Sequence, residues 1–190
     1  MVTPPTSVGK AYLTIEVDAV TCIATLKSMK LTFQPMTLDY AEQMLGWKYE
    51  APYERYSYDG EDPESALAYL TDPENQFFAV LMEGVQIGFR SFGADGQVEG
   101  GRYDEFHVDM GGGLKPEYTG KGFGEIALRA GLKLGQEILG THRFRVTVAA
   151  FNERALKVVK RVGFREVERF LRPDDQEEFV VLVKHLEPSD

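Results

Sequence analysis

Glycines set the most chemically suggestive stretch of this sequence. Gly111, Gly112 and Gly113 lead through Leu114, Lys115, Pro116, Glu117, Tyr118 and Thr119 to Gly120, Lys121, Gly122, Phe123 and Gly124. This spacing lets the backbone turn tightly and brings several N–H groups to one anion. A helix opening at the end of the run adds unpaired first-turn donors and the positive end of its dipole. Phosphate binding is the chemistry such a run suits. The same residues also suit a plain turn, and their surroundings decide between the two.

Those surroundings are a strand before and a helix after. Tyr103 to Met110 reads as a strand ending in the glycines, and Glu125 to Leu139 carries Ile126, Leu128, Ala130, Leu132 and Leu139 at helical spacing. Upstream, Leu31 to Pro35 reads as a strand, and Leu38 to Leu45 and Pro63 to Leu70 as helices. Phe77 to Met82 and Val85 to Phe92 form a hairpin about Glu83-Gly84. Downstream, Phe144, Val146 and Val148 alternate as a strand, and Asn152 caps a helix that stops at Gly163. Phe164 to Leu171 and Glu178 to His185 close the chain as strands. This order predicts an α/β (α+β) layer fold: a mixed, largely antiparallel twisted sheet flanked by helices. Residues 1–28 read as an N-terminal extension whose Leu13, Ile15, Val17 and Ala19 alternate like an extra edge strand. Residues 29–190 read as the main domain.

Composition narrows the function. With 43% hydrophobic and 27% charged residues the chain is of the soluble globular class, and no apolar run approaches the ~20 residues of a membrane-spanning helix. The start lacks a signal-peptide pattern, so the expected location is cytoplasmic. A net charge of -9 argues against nucleic-acid and anionic-membrane partners. From Lys115 to Arg165, however, 11 Lys and Arg face four acids, an arrangement that suits an anionic cofactor beside a cationic substrate. The single cysteine, Cys22, rules out an internal disulfide and leaves no Cys-based metal site, and no metal is expected.

From Leu31 to His185 the sequence resembles the GNAT N-acetyltransferase superfamily. The acyl-CoA loop of that family reads Arg or Gln, two residues, Gly, one residue, Gly or Ala; here the run is Thr119, Gly120, Lys121, Gly122, Phe123, Gly124. It follows a strand and opens a helix, and Asn152, Ala155, Gly163 and Phe164 repeat the Asn and Gly-Phe signature of the next helix. The resemblance implies a GNAT-like fold in which acyl-CoA wedges between two splayed strands. Its pantetheine arm would pair with the backbone at Gly112, Gly113 and Leu114, and its pyrophosphate would take the N–H groups of Gly120 to Gly124. Asn152 would bond the arm or serve as an N-cap, two compatible roles. Lys121 and Lys157 are cations within the expected reach of the phosphates, or else ordinary solvated lysines.

The implied reaction is direct transfer from acetyl-CoA to a neutral amine, which needs a base and donors for the developing oxyanion. His107 and Asp109 share one strand face just upstream of the glycines, and Asp109, nearer the splay, is favoured as the base over His107. Two positions depart from the family pattern. Thr119 stands where Arg or Gln is usual. Val159 stands where many members carry the Tyr that protonates the departing thiolate, which forbids assigning a tyrosine acid there and leaves Tyr118 as a substitute to test. Trp47, Tyr49, Tyr53, Tyr56 and Tyr58, interleaved with Glu50, Glu54 and Asp59, crowd the segment where the family places its substrate lid. Of these, Trp47, Tyr53 and Tyr56 are the expected acceptor contacts. Trp47 to Tyr53 also resembles, more loosely, a bacterial branch carrying Trp-x-Tyr-x-x-Pro-Tyr. The resemblance therefore implies an acetyl-CoA-dependent N-acetyltransferase acting on a small-molecule primary amine. A protein N-terminal acetyltransferase using peptide amines and a non-catalytic acyl-CoA-binding module are the alternatives. A homodimer would form through the closing strands or the N-terminal extension.

Overall fold

The computed structural model describes residues 13–17, 29–60 and 62–187. The described strands β1 (Leu13–Val17), β2 (Met29–Pro35), β3 (Phe77–Met82), β4 (Val85–Phe92), β5 (Val108–Leu114), β6 (Arg143–Ala149), β7 (Arg165–Leu171) and β8 (Glu178–His185) form one sheet. Its order is β1-β2-β3-β4-β5-β6-β8-β7. Helices α1 (Leu38–Leu45) and α2 (Pro63–Thr71) lie between β2 and β3 in the chain, α3 (Phe123–Leu139) joins β5 to β6, and α4 (Glu153–Val162) joins β6 to β7. Neighbouring strands are antiparallel except β5 and β6, which are parallel and need the α3 crossover. This is the mixed, largely antiparallel sheet expected.

Both faces of the sheet are covered, so β3 and β4 read as nearly continuous apolar runs. Val80 and Phe92, with Ile87 turned to the same side by the register shift opposite Val80 and Leu81, join Phe33, Met110, Phe144, Val146 and Leu182 in the larger core with α3 and α4. Phe77, Ala79 and Leu81 face the other way and join Met44, Trp47 and Leu70 of the α1–α2 layer. Helix α3 sits close to the sheet because it lacks side chains where it touches. A Cβ on Gly135 would lie 2.6 Å from Cε1 of Phe144. Asn152 caps α4 by accepting from the N–H of Ala155 at 3.1 Å, and Gly163 ends it in the left-handed region.

One strand differs from expectation. Residues 103–107 form a turn, because the Asp104 carboxylate takes the N–H groups of Phe106 and His107 at 2.9 and 3.1 Å. The strand begins at Val108 and runs through all three glycines. At the opposite edge β1 pairs with β2, and Ile15 is buried in the α3-side core. Ala19 and Cys22 lie outside the described residues. Ile15→Ala is expected to lower the free energy of unfolding by about 2–4 kcal/mol in a urea titration while leaving acetyl-CoA affinity unchanged.

Candidate functional site

The parallel pair β5–β6 is joined only at Val108↔Phe144 and Asp109↔Arg145; beyond these the strands part. β5 stays paired with β4 as far as Leu114, and β6 with β8 as far as Ala149. A gap therefore opens between Met110–Leu114 and Val146–Ala149. The hydrogen bonds that bound this stretch of β4–β5, Gly93 N–H to Asp109 C=O and Lys115 N–H to Ile87 C=O, fix the phase of the ladder. Bonded pairs alternate, so Ser91 pairs with Gly111 and Phe89 with Gly113, while the peptide groups of Gly112 and Leu114 turn away from β4 and into the gap. An extended ligand chain inserted there meets a free strand edge.

Side chains of β4 explain the three bare residues of β5. A Cβ on Gly112, whose φ is +154°, would lie 2.5 Å from Nη1 of Arg90, and one on Gly113 would lie 2.9 Å from Cε1 of Phe89. Arg90 is buried between β4 and α3. Its Nη1 donates to the Gly111 carbonyl at 2.8 Å, and its Nε has no partner among the described residues. Burial pulls its pKa down to about 10, so it remains charged at neutral pH. The guanidinium thus places a positive charge directly behind the gap-facing peptide of Gly112.

At the mouth of the gap the chain turns through Pro116–Tyr118, where the Thr119 hydroxyl donates to the Pro116 carbonyl at 2.8 Å. Gly120 and Gly122 follow at positive φ, and α3 begins at Phe123 with Gly122 as an N-cap that offers no side-chain bond. The first-turn N–H groups of Phe123, Gly124 and Glu125 have no intrahelical acceptor and are available to an anion. Lys121 is exposed beside them. Val159 is buried in the larger core, so the site has no side-chain acid from that position.

The aromatic segment bridges the two walls of the gap. From the segment, the Tyr49 hydroxyl donates to the gap-facing Leu114 carbonyl at 2.8 Å; burial pushes its pKa up to about 12, which keeps it a donor. On the other wall, the Asn152 amide donates to the Tyr56 hydroxyl at 3.1 Å, and Tyr56 stacks on Phe151 with ring centroids 5.9 Å apart. Tyr53 lies under the guanidinium of Arg154, 3.5 Å from its ring centroid. Asn152 therefore has its oxygen on the α4 cap and its nitrogen on Tyr56. Trp47, expected at the acceptor, is a core residue only 5% exposed, although its indole N–H has no partner among the described residues. Tyr49→Phe is expected to leave stability within about 1 kcal/mol of the parent and to change acetyl-CoA affinity, since it frees the Leu114 carbonyl; calorimetric titration reads this directly.

On the face of β5 that looks toward α1 and α2, Asp109 is only 3% exposed and anchors a buried pair. Its Oδ1 accepts from Nε of Arg145 at 2.6 Å, and its Oδ2 from Nη2 at 2.9 Å and from Gln97 at 2.8 Å. Both carboxylate oxygens, expected to serve as the base, are thus engaged by Arg145 and Gln97 in a bidentate, charge-assisted pair. His107 is engaged as well: Nδ1 lies 2.9 Å from Asp104, and Nε2 lies 3.0 Å from Nε2 of His185. A third carboxylate is brought here by the turn after β4. Asp95 accepts a short hydrogen bond from Ser91, and burial raises its pKa while the Ser91 bond works the other way. Its Oδ2 would be 2.5 Å from a Cβ on Gly111. In the sequence Asp95 is inconspicuous, because Gly93-Ala94-Asp95-Gly96 has the composition of an ordinary turn and only the four-residue spacing from Ser91 points to it.

A mixed sheet is thus parted between its parallel strands, with a glycine edge inside the gap and an open helix N-terminus at its mouth. The chain belongs to the GNAT acetyltransferase family: the model of the acetyltransferase (GNAT) domain matches residues 30–165. Among curated proteins none matches. Solved structures agree in fold. A GNAT-family acetyltransferase from Bacillus anthracis superposes with a TM-score of 0.65 at 18% identity, over 82% of this chain and 94% of that one. The aminoglycoside acetyltransferase AAC(6')-Ib in complex with coenzyme A gives 0.65 at 16% identity, over 82% and 94%. A spermidine N-acetyltransferase chimera from Vibrio cholerae and hSSAT gives 0.65 at 19%, over 82% and 95%. Among the described residues no helix is long and apolar enough to cross a membrane, and no cluster of His, Cys, Asp and Glu could hold a metal ion.

Proposed function

We propose that this protein transfers the acetyl group of acetyl-CoA to the primary amine of a small cationic molecule. The observation that carries this reading is the parting of β5 from β6 where Gly112 and Leu114 turn their peptide groups into the gap, in line with the open N-terminus of α3. The pantetheine arm pairs with that edge, and the pyrophosphate takes the N–H groups from Gly120 to Gly124. No Cβ obstructs the strand, and the donors are backbone groups, so Thr119 in place of Arg or Gln does not remove them. The Gly112 N–H, backed by the Arg90 guanidinium, is the donor toward the thioester oxygen. Asp109 acts as a positioning residue: with Arg145 it fixes the point at which the strands part. Tyr49, Tyr53 and Tyr56 form the acceptor wall, where aromatic faces suit a cation. The aminoglycoside and spermidine acetyltransferases among the structural neighbours support an amine of that kind.

The first experiment is calorimetric titration of the full chain with acetyl-CoA against an adenosine diphosphate control. It is followed by thiol-release assays with spermidine, kanamycin and short peptides. Saturable acetyl-CoA binding and transfer to the small amines are expected. Transfer to peptides alone would make the protein an N-terminal acetyltransferase, and binding without transfer would make it an acyl-CoA-binding module.

A further inference from the structure

Three aspartates, Asp95, Asp104 and Asp109, lie on or beside the α1–α2 face of β5 near the parting of the strands. Two are committed. Asp109 is paired with Arg145, and Asp104 is shared between Arg145 Nη1, at 3.2 Å, and His107. Asp95 makes no ion pair among the described residues and keeps only the Ser91 hydroxyl. It is partly exposed, and its carboxylate lies against the bare Cα of Gly111, next to the peptide of Gly112 that faces the gap. Facing it are Tyr69 of α2, whose hydroxyl is raised first by burial and then by the charge of Asp95, and the Asp109–Arg145 pair of β5 and β6. Arg145 is already matched by two carboxylates, which leaves Asp95 as an uncompensated negative charge on this face.

We propose, building on the transferase reading, that Asp95 receives the acceptor's ammonium group and takes its proton, with Ser91 orienting the carboxylate. One N–H proton of the ammonium passes to Asp95, and the freed nitrogen lone pair forms the bond to the thioester carbonyl carbon. The C–S bond breaks with its electron pair on sulfur, and a second amine proton passes to the thiolate. Asp95 returns its proton to solvent as products leave. The location suits the chemistry. Partial burial raises the proton affinity of the carboxylate, the arriving ammonium supplies the positive charge this face lacks, and the bare Gly111 puts no side chain of its own between Asp95 and the gap.

The test uses the full chain with spermidine and kanamycin as probes. Asp95→Asn is expected to lower kcat/KM for the amine by about 100-fold or more, within the range for loss of a proton acceptor, with acetyl-CoA affinity within about twofold of the parent. Activity of the parent should fall as pH drops through a value above the ordinary carboxylate range, because the protonated carboxyl neither attracts the ammonium nor accepts its proton. Ser91→Ala removes the bond that holds the Asp95 pKa down and so should move that acid limb to higher pH, a shift a merely structural serine does not produce. This second variant decides the matter if Asp95→Asn does not fold. Parent-like kcat/KM in Asp95→Asn, or an acid limb unmoved in Ser91→Ala, overturns the role of Asp95 alone. If the parent binds acetyl-CoA yet acetylates neither probe, the reading as a transferase to cationic amines fails and this inference falls with it.

Discussion

Arg145→Met is expected to cost about 3–5 kcal/mol of folding free energy, because it strands the Asp109 carboxylate in the interior. Their side chains are 3% and 4% exposed, and they are joined in parallel register where β5 meets β6. Asp104 also loses one of its two partners and keeps His107. The double variant Asp109→Leu/Arg145→Met should recover most of the loss, since two apolar side chains of similar volume leave no buried charge. Urea titrations of the two singles and the double close the cycle. A single-variant loss below about 1 kcal/mol would show the pair to be hydrated and not buried.

Gly124→Glu should raise the acetyl-CoA dissociation constant by at least about 100-fold, or roughly 2.7 kcal/mol, with a melting temperature close to the parent's. Position 124 lies in the first turn of α3, where a carboxylate is favourable to the helix itself but repels a pyrophosphate approaching the same N–H groups. The control is Gly124→Ala. Its Cβ would meet Cγ2 of Val158 at 3.3 Å, a tight contact with a side chain that can shift, so affinity should change only several-fold. Equal affinity in both variants and the parent would remove the start of α3 from the phosphate site.

Local signals in the sequence sufficed for most of the helices and strands, the Asp104 turn before β5 being an exception. The Leu38–Leu45 helix, the Phe77–Met82 and Val85–Phe92 hairpin and the Asn152 cap all follow from periodicity and capping, and the structure has them at those positions. Reading the glycines as a single cradle was coarser. Gly111 to Gly113 are bare because Phe89, Arg90 and Ser91 fold over them, and which residues lie opposite is set by the register of a hairpin partner. The partner of Asp109 was out of reach for a similar reason: Arg145 lies 36 residues away, and only the parallel β5–β6 pairing brings it alongside. Asp95 illustrates the converse. Its turn is legible, but its meaning comes from what the sheet places beside it.

The chain carries a single tryptophan, and Trp47 sits at the root of the segment that ties Leu114 to Asn152 across the gap, with its ring 6.3 Å from that of Phe89. Its neighbour Tyr49 bonds to one wall, while Phe89 lies beneath the glycine edge that a ligand must line. The molecule therefore contains its own optical reporter. An indole shielded from water emits at short wavelength, and any ligand that pushes Tyr49 off Leu114 changes the packing around that indole. Acetyl-CoA occupancy should be readable as a saturable change in intrinsic emission, without a label and before any acceptor is known.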